Sequence, residues 1–117
     1  MDNVLIAVSN KENMERLFDK TVSLIPPSLI QVISMVRKRI SLKNGNQYRF
    51  IYVPEDFNQM GLCGLGIDTL YVDEGVIKNE SAFKELRLCV HNSHKDNAVR
   101  ILSEMYDIDA GMILRGI

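Results

Sequence analysis

An apolar run that ends in two adjacent carboxylates is the most specific chemical feature of this sequence: Thr69-Leu70-Tyr71-Val72 leads directly into Asp73-Glu74-Gly75. Such a run reads as a strand buried on both faces. At its end it could deliver Asp73 to a magnesium ion, while Glu74 orients or deprotonates an attacking water. Three readings of the pair stand: a solvated acidic turn, the remnant of a nucleotide site, and an active metal site. The first leads, because no loop able to cradle phosphates accompanies the acids. The spacing G-x-x-x-x-G-K-[ST] occurs nowhere in the chain. Gly61, Gly64 and Gly66 form a glycine-containing loop, but no Lys-Ser/Thr follows them, and they precede the acidic strand.

Other chemistries fit less well. A metal nuclease of the restriction type needs Glu-x-Lys, whereas Glu74 and Lys78 stand at i, i+4. His91 and His94 could share a metal with Asp73 if their turn were helical, but polar turn residues explain them more simply. Ser-His-Asp and Cys-His arrangements are not identifiable. Arg37-Lys38-Arg39, Lys43 and Arg49 form the one basic concentration. On a hairpin, Arg39 and Lys43 would share a face near Tyr48 or Tyr52, which suits a nucleic-acid backbone. A solvated hairpin edge whose charges discourage aggregation is the simpler alternative.

The elements that must position these groups can be read from periodicity. Val4 to Val8 is a buried-type strand. Ser9 and Glu12 have the spacing of a capping box, and Met14, Leu17, Phe18, Thr21, Val22 and Ile25 recur along one helical face until Pro26-Pro27. Residues 28–36 read as a short helix. Asn44-Gly45 between two apolar stretches predicts a tight β-hairpin. A short helix over Ala82 to Glu85, capped by Asn79 or Ser81, is expected to give way to a strand in which Leu86, Leu88 and Val90 alternate. A last helix is expected over Asp96 to Tyr106, then an edge strand over Met112 to Leu114. The predicted fold is a single α/β domain with a mostly parallel central sheet, helices on both faces and one β-hairpin. Its strands lie at roughly 3–8, 39–43, 47–53, 69–73 and 86–91.

Taken together, Val4 to Ile25, Ile40 to Gly45 and Gly61 to Glu74 resemble the ATPase core of viral large terminases and related superfamily 2-type motors. In that family an early strand and helix precede an I-x-L-x-N-G hairpin, a G-L-x-G-x-x-x-D loop and a Walker B strand ending in Asp-Glu. Leu88 to Ser93 would match a motif that couples nucleotide state to movement. The resemblance spans most of residues 3–93 and implies a truncated P-loop fold of phage or mobile-element origin. Without the family's Walker A loop, Asp73 and Glu74 would act on Mg-ATP only if a partner chain completed the site.

The bulk numbers narrow the remaining choices. A chain of 117 residues fits one domain. With 46% hydrophobic and 25% charged residues it has a globular composition. The net charge of -1 exerts no global pull on nucleic acid or membrane. Cys63 and Cys89 have neither zinc-ligand nor disulfide-framework spacing, so a reducing cytoplasm is expected, the host's if phage-encoded. Nothing approaches the roughly 20 apolar residues of a membrane span. The expected role is a non-catalytic accessory protein that acts through a protein partner. The alternatives are a nucleotide-dependent subunit completed in trans and a direct nucleic-acid binder using Arg37, Lys38, Arg39, Lys43 and Arg49.

Overall fold

The computed structural model describes residues 2–55, 66–90 and 98–115. Its sheet has six strands: β1 (Asn3–Val8), β2 (Ile30–Ser34), β3 (Arg39–Leu42), β4 (Gln47–Tyr52), β5 (Thr69–Val72) and β6 (Val99–Ile101), in the spatial order β2-β3-β4-β1-β5-β6. β1 pairs in parallel with β4 on one side and β5 on the other, and β6 extends the parallel part beyond β5. β2 and β3 complete the sheet with antiparallel pairings.

From Val4 onward β1 is apolar, because it is central and covered twice. Val4, Ile6 and Val8 enter one core, and Leu5 and Ala7 enter the other. The first core is closed by helices α1 (Lys11–Leu24) and α4 (Tyr106–Ile113). The second lies under α2 (Glu74–Lys78) and α3 (Glu80–Leu88). The expected architecture, an α/β layer structure with helices on both faces and one hairpin region, is therefore what the chain adopts.

Several local expectations are corrected. Residues 28–36 are not a helix: after a 3₁₀ turn at Pro27–Leu29 the chain enters β2, where the β-branched Ile30, Val32 and Ile33 suit a pleated edge strand. Residues 86–88 continue α3, because Ala82, Leu86 and Cys89 fall on one helical face and are buried, while Leu88 is left 68% exposed. Val90 reaches the sheet only through a single bridge to Ile67. In place of the last helix, β6 continues the ladder, with Leu70 N–H bonded to the Ala98 carbonyl and Leu102 N–H to that of Val72. Ala98 and Leu102 serve cores on opposite faces of the sheet, which one helix could not do. Residues 112–114 end α4 and its final turn and form no strand.

The turns differ in detail too. α1 is capped by Asn10, whose side chain accepts from Asn13 N–H, and Glu12 pairs with Arg16 instead of reaching back. The β3–β4 connection is a four-residue turn over 43–46, in which Gly45 alone takes positive φ, at 97°. Phe18 and Phe50 meet edge to face at 5.3 Å between ring centroids, and both are buried in the first core.

Two predictions follow from this packing. Phe18→Ala removes a fully buried ring that packs edge to face on Phe50 of the sheet, and should destabilise by about 3–5 kcal/mol, read as a lower urea midpoint at unchanged m. Burial raises the phenols of Tyr48 and Tyr71 above their ordinary value of 10.0. Above pH 10 the unfolded chain ionises while the folded chain keeps both neutral, so stability falls as pH rises through that range. Alkaline titration of the melting midpoint checks the sign.

Candidate functional site

Two connections leave the centre of the sheet in opposite directions. From β1 the chain turns into α1 on one face; from β5 it turns into α2 on the other. Where neighbouring parallel strands diverge in this way, a crevice forms beyond their carboxyl ends, and open α/β sheets bind ligands there. Asp73 sits at this point. It follows β5, caps α2 and is only 3% exposed.

Both oxygens of its carboxylate accept hydrogen bonds from within the chain. One oxygen accepts from the Ser9 N–H and the Ser9 hydroxyl, each at 2.9 Å. The other accepts from Val76 N–H, also at 2.9 Å. Three donors, two of them backbone amides and one at a helix start, compensate the burial of a charge that would otherwise be costly. Gly75 completes the arrangement: a Cβ there would overlap the Ser9 Oγ and lie 2.6 Å from its Cβ. The β1–α1 connection is Ser9-Asn10 alone, too short to wrap a phosphate.

A cavity of about 230 Å³ opens beside Asp73, lined also by Asn13, Glu104, Tyr106 and Asp109. Asp109, 2% exposed, repeats the same device: one oxygen accepts from the Ser103 N–H at 2.9 Å and its hydroxyl at 2.7 Å. The Tyr106 hydroxyl donates to Asn13 Oδ1 at 2.7 Å, tying α4 to α1. Among the described residues no group of three or more His, Cys, Asp or Glu side chains is placed to hold a metal ion.

Glu74 does not join Asp73 in the crevice. It is exposed and pairs with Lys78 at 3.4 Å along α2. His91, His94, Cys63, Gly61 and Gly64 lie outside the described residues. Cys89 is buried, and its thiol donates to the Glu85 carbonyl one turn earlier.

The basic residues separate. Arg37 is exposed in the turn after β2. Lys38, at φ 52°, turns toward α1 and places its ammonium 5.1 Å from the Phe18 ring centroid. Arg39 and Arg49 stand opposite each other on β3 and β4. Lys43 is exposed just past β3. The predicted cluster thus reduces to an Arg39–Arg49 pair flanked by Arg37 and Lys43, without Lys38.

Sequence reasoning missed Ser9 as the partner of Asp73, Gly75 as the residue that lets them meet, and Asn13, Glu104, Tyr106 and Asp109 in the lining. An acid set between Ile108 and Ala110 in an apolar stretch was the available signal for Asp109. No described helix is long and apolar enough to cross a membrane. No family model matches the chain, and comparison with curated proteins and with solved structures gave no match.

Asp73→Ala leaves three donors without their acceptor and removes the α2 cap, so it should destabilise by about 2–3 kcal/mol. Gly75→Ala should destabilise by about 1–3 kcal/mol through overpacking. Ser9→Gly clears the obstructing atoms, so the double variant should lose less than the sum of the single losses. Urea denaturation of the four-member cycle measures that coupling.

Proposed function

We propose that this chain is a non-catalytic binding protein, built on an ATPase-like core that does not turn over nucleotide by itself. The observation that carries the reading is the Asp73 carboxylate, both of whose oxygens are held by Ser9 and Val76 in the crevice where such a fold would take its ligand. The two-residue turn between β1 and α1 supplies no row of amides for β- and γ-phosphates. An accessory role in a phage or mobile element, exerted through a macromolecular partner in the cytoplasm, rests on the terminase resemblance of residues 3–93.

A second reading has its own support. The cavity beside Asp73 lies at the carboxyl ends of β1 and β5, where a loop from another chain could complete a Mg-ATP site with Asp73 as metal ligand and Glu74 as base. That reading requires the carboxylate to exchange the Ser9 hydroxyl for a metal.

Phosphate release from Mg-ATP and calorimetric titration with Mg-ADP test the proposal directly. Neither turnover above the protein-free rate nor saturable binding is expected. Turnover that Glu74→Gln abolishes would overturn it and establish the enzyme reading. Glu74 suits this purpose because its exposed side chain can be changed without disturbing the core.

A further inference from the structure

The face of β2 and β3 that points away from α1, and that of β4 as far as Arg49, has no described element over it; further along β4, Ile51 packs against the core under α2 and α3. Val32, Ser34, Arg39, Ser41, Gln47 and Arg49 alternate with the residues that enter the first core, and all are exposed or half-buried. Helices α2 and α3 lie over the same side of the sheet but stop short. Their core takes Leu5, Ala7, Leu70 and Val72 from the centre and nothing from β2 or β3.

Arg39 stands directly opposite Arg49 on this face. Side chains so placed have Cβ atoms about 4.5–5.5 Å apart, and like charges there repel. Partial burial first, and the charge of Arg39 second, lower the pKa of Arg49 from its ordinary value. No carboxylate among the described residues forms an ion pair with either guanidinium. Arg49 also lines, with Asn3, Gln47 and Ile67, a notch of about 120 Å³.

Two repelling guanidiniums, without a described counter-ion and beside hydroxyl and amide groups, make a site that an anion would stabilise. Arg37 and Lys43, exposed beyond the two ends of β3, continue the positive charge. None of the six side chains on the face is aromatic, so it lacks the large buried anchor on which protein interfaces commonly turn. With a net charge of -1, the attraction belongs to this patch and not to the whole molecule.

We propose that this face binds the phosphodiester backbone of nucleic acid, with Arg39 and Arg49 as a paired phosphate clamp and Ser41 and Gln47 as neutral hydrogen-bonding partners. Planar guanidiniums grip phosphate oxygens with two parallel bonds each, which a lysine pair would not. Contacts of this kind fix position without reading sequence. The proposal rests on the reading of the chain as a binding protein and supplies its partner class.

Fluorescence anisotropy tests it, using a labelled single strand of about 20 nucleotides and its duplex, at about 50 and 200 mM salt. The intact chain should bind at least one of them, more weakly at the higher salt. Arg39→Gln with Arg49→Gln should weaken binding about tenfold or more at low salt and lower the slope of log affinity against log salt by about 2. Lys11→Gln with Lys84→Gln, which removes equal charge from α1 and α3, should bind as the unmodified chain does. The arginine variant should melt at or above the unmodified midpoint, because a repulsion has gone, so lost binding would not reflect lost folding. Absence of binding at low salt, or an arginine variant that binds undiminished, would overturn the proposal. Either result would leave a finding of no ATP turnover intact, and so would sink the surface without sinking the binding role. Measured turnover would do the reverse.

Discussion

A single buried carboxylate holds the two layers of this protein in register. Asp73 receives the first residue after β1 through one oxygen and the first turn of α2 through the other. The strand order puts β1 beside β5, and that pairing brings Ser9 to Asp73 across 64 residues of sequence. The exit of α1 to one face and of α2 to the other is therefore set at one point. The environment makes the constraint strict: a charge this buried is tolerated only while its donors remain in place. Gly75 is the steric half of the same constraint, and Ser103 with Asp109 repeats the electrostatic half at the end of β6.

That arrangement separates two surfaces with opposite properties. In the crevice at the carboxyl ends of β1 and β5, the hydrogen bonds of Asp73, Asp109 and Tyr106 are directed inward, to other parts of the chain. On the outer face of β3 and β4 the polar groups are directed outward, and two of them repel one another. A surface of the second kind gains from an incoming partner, whereas one of the first kind must break bonds to admit one. The burial pattern of β3, alternately half-buried and buried, records the division within a single strand.

How much of this was legible depended on how local each decision is. β1, α1, β3, β4 and β5 could be read from the chain because their periodicity is strong and their lengths are typical. The stretch from Leu86 to Leu114 could not. Leu86, Leu88 and Val90 alternate as a strand would, yet the helical face Ala82-Leu86-Cys89 decided the outcome through burial against the second core. β6 is three residues long and exists only because the edge of β5 offers it a ladder. In the crevice, Asp73 was visible as an acid at a strand end. Its partner was not, because Ser9 has the spacing of a helix cap and its true acceptor is distant in sequence. The Arg39–Arg49 pairing was not legible, because a two-residue turn at Asn44-Gly45 would set Arg39 opposite Phe50, and the departure of Lys38 required knowing where Phe18 would lie.

The place of β1 in the sheet has a consequence for how the molecule is made. It comes earliest among the described elements, yet both its neighbours, β4 and β5, are encoded well downstream of it. On a ribosome adding about 5–20 residues per second, this apolar strand waits on the order of several seconds before either partner has left the exit tunnel. During that interval α1 is the one described element available to shield Val4, Ile6 and Val8, while α2 and α3, which cover Leu5 and Ala7, come later still. The most deeply buried strand of the finished protein is thus the one longest exposed while the chain is being synthesised.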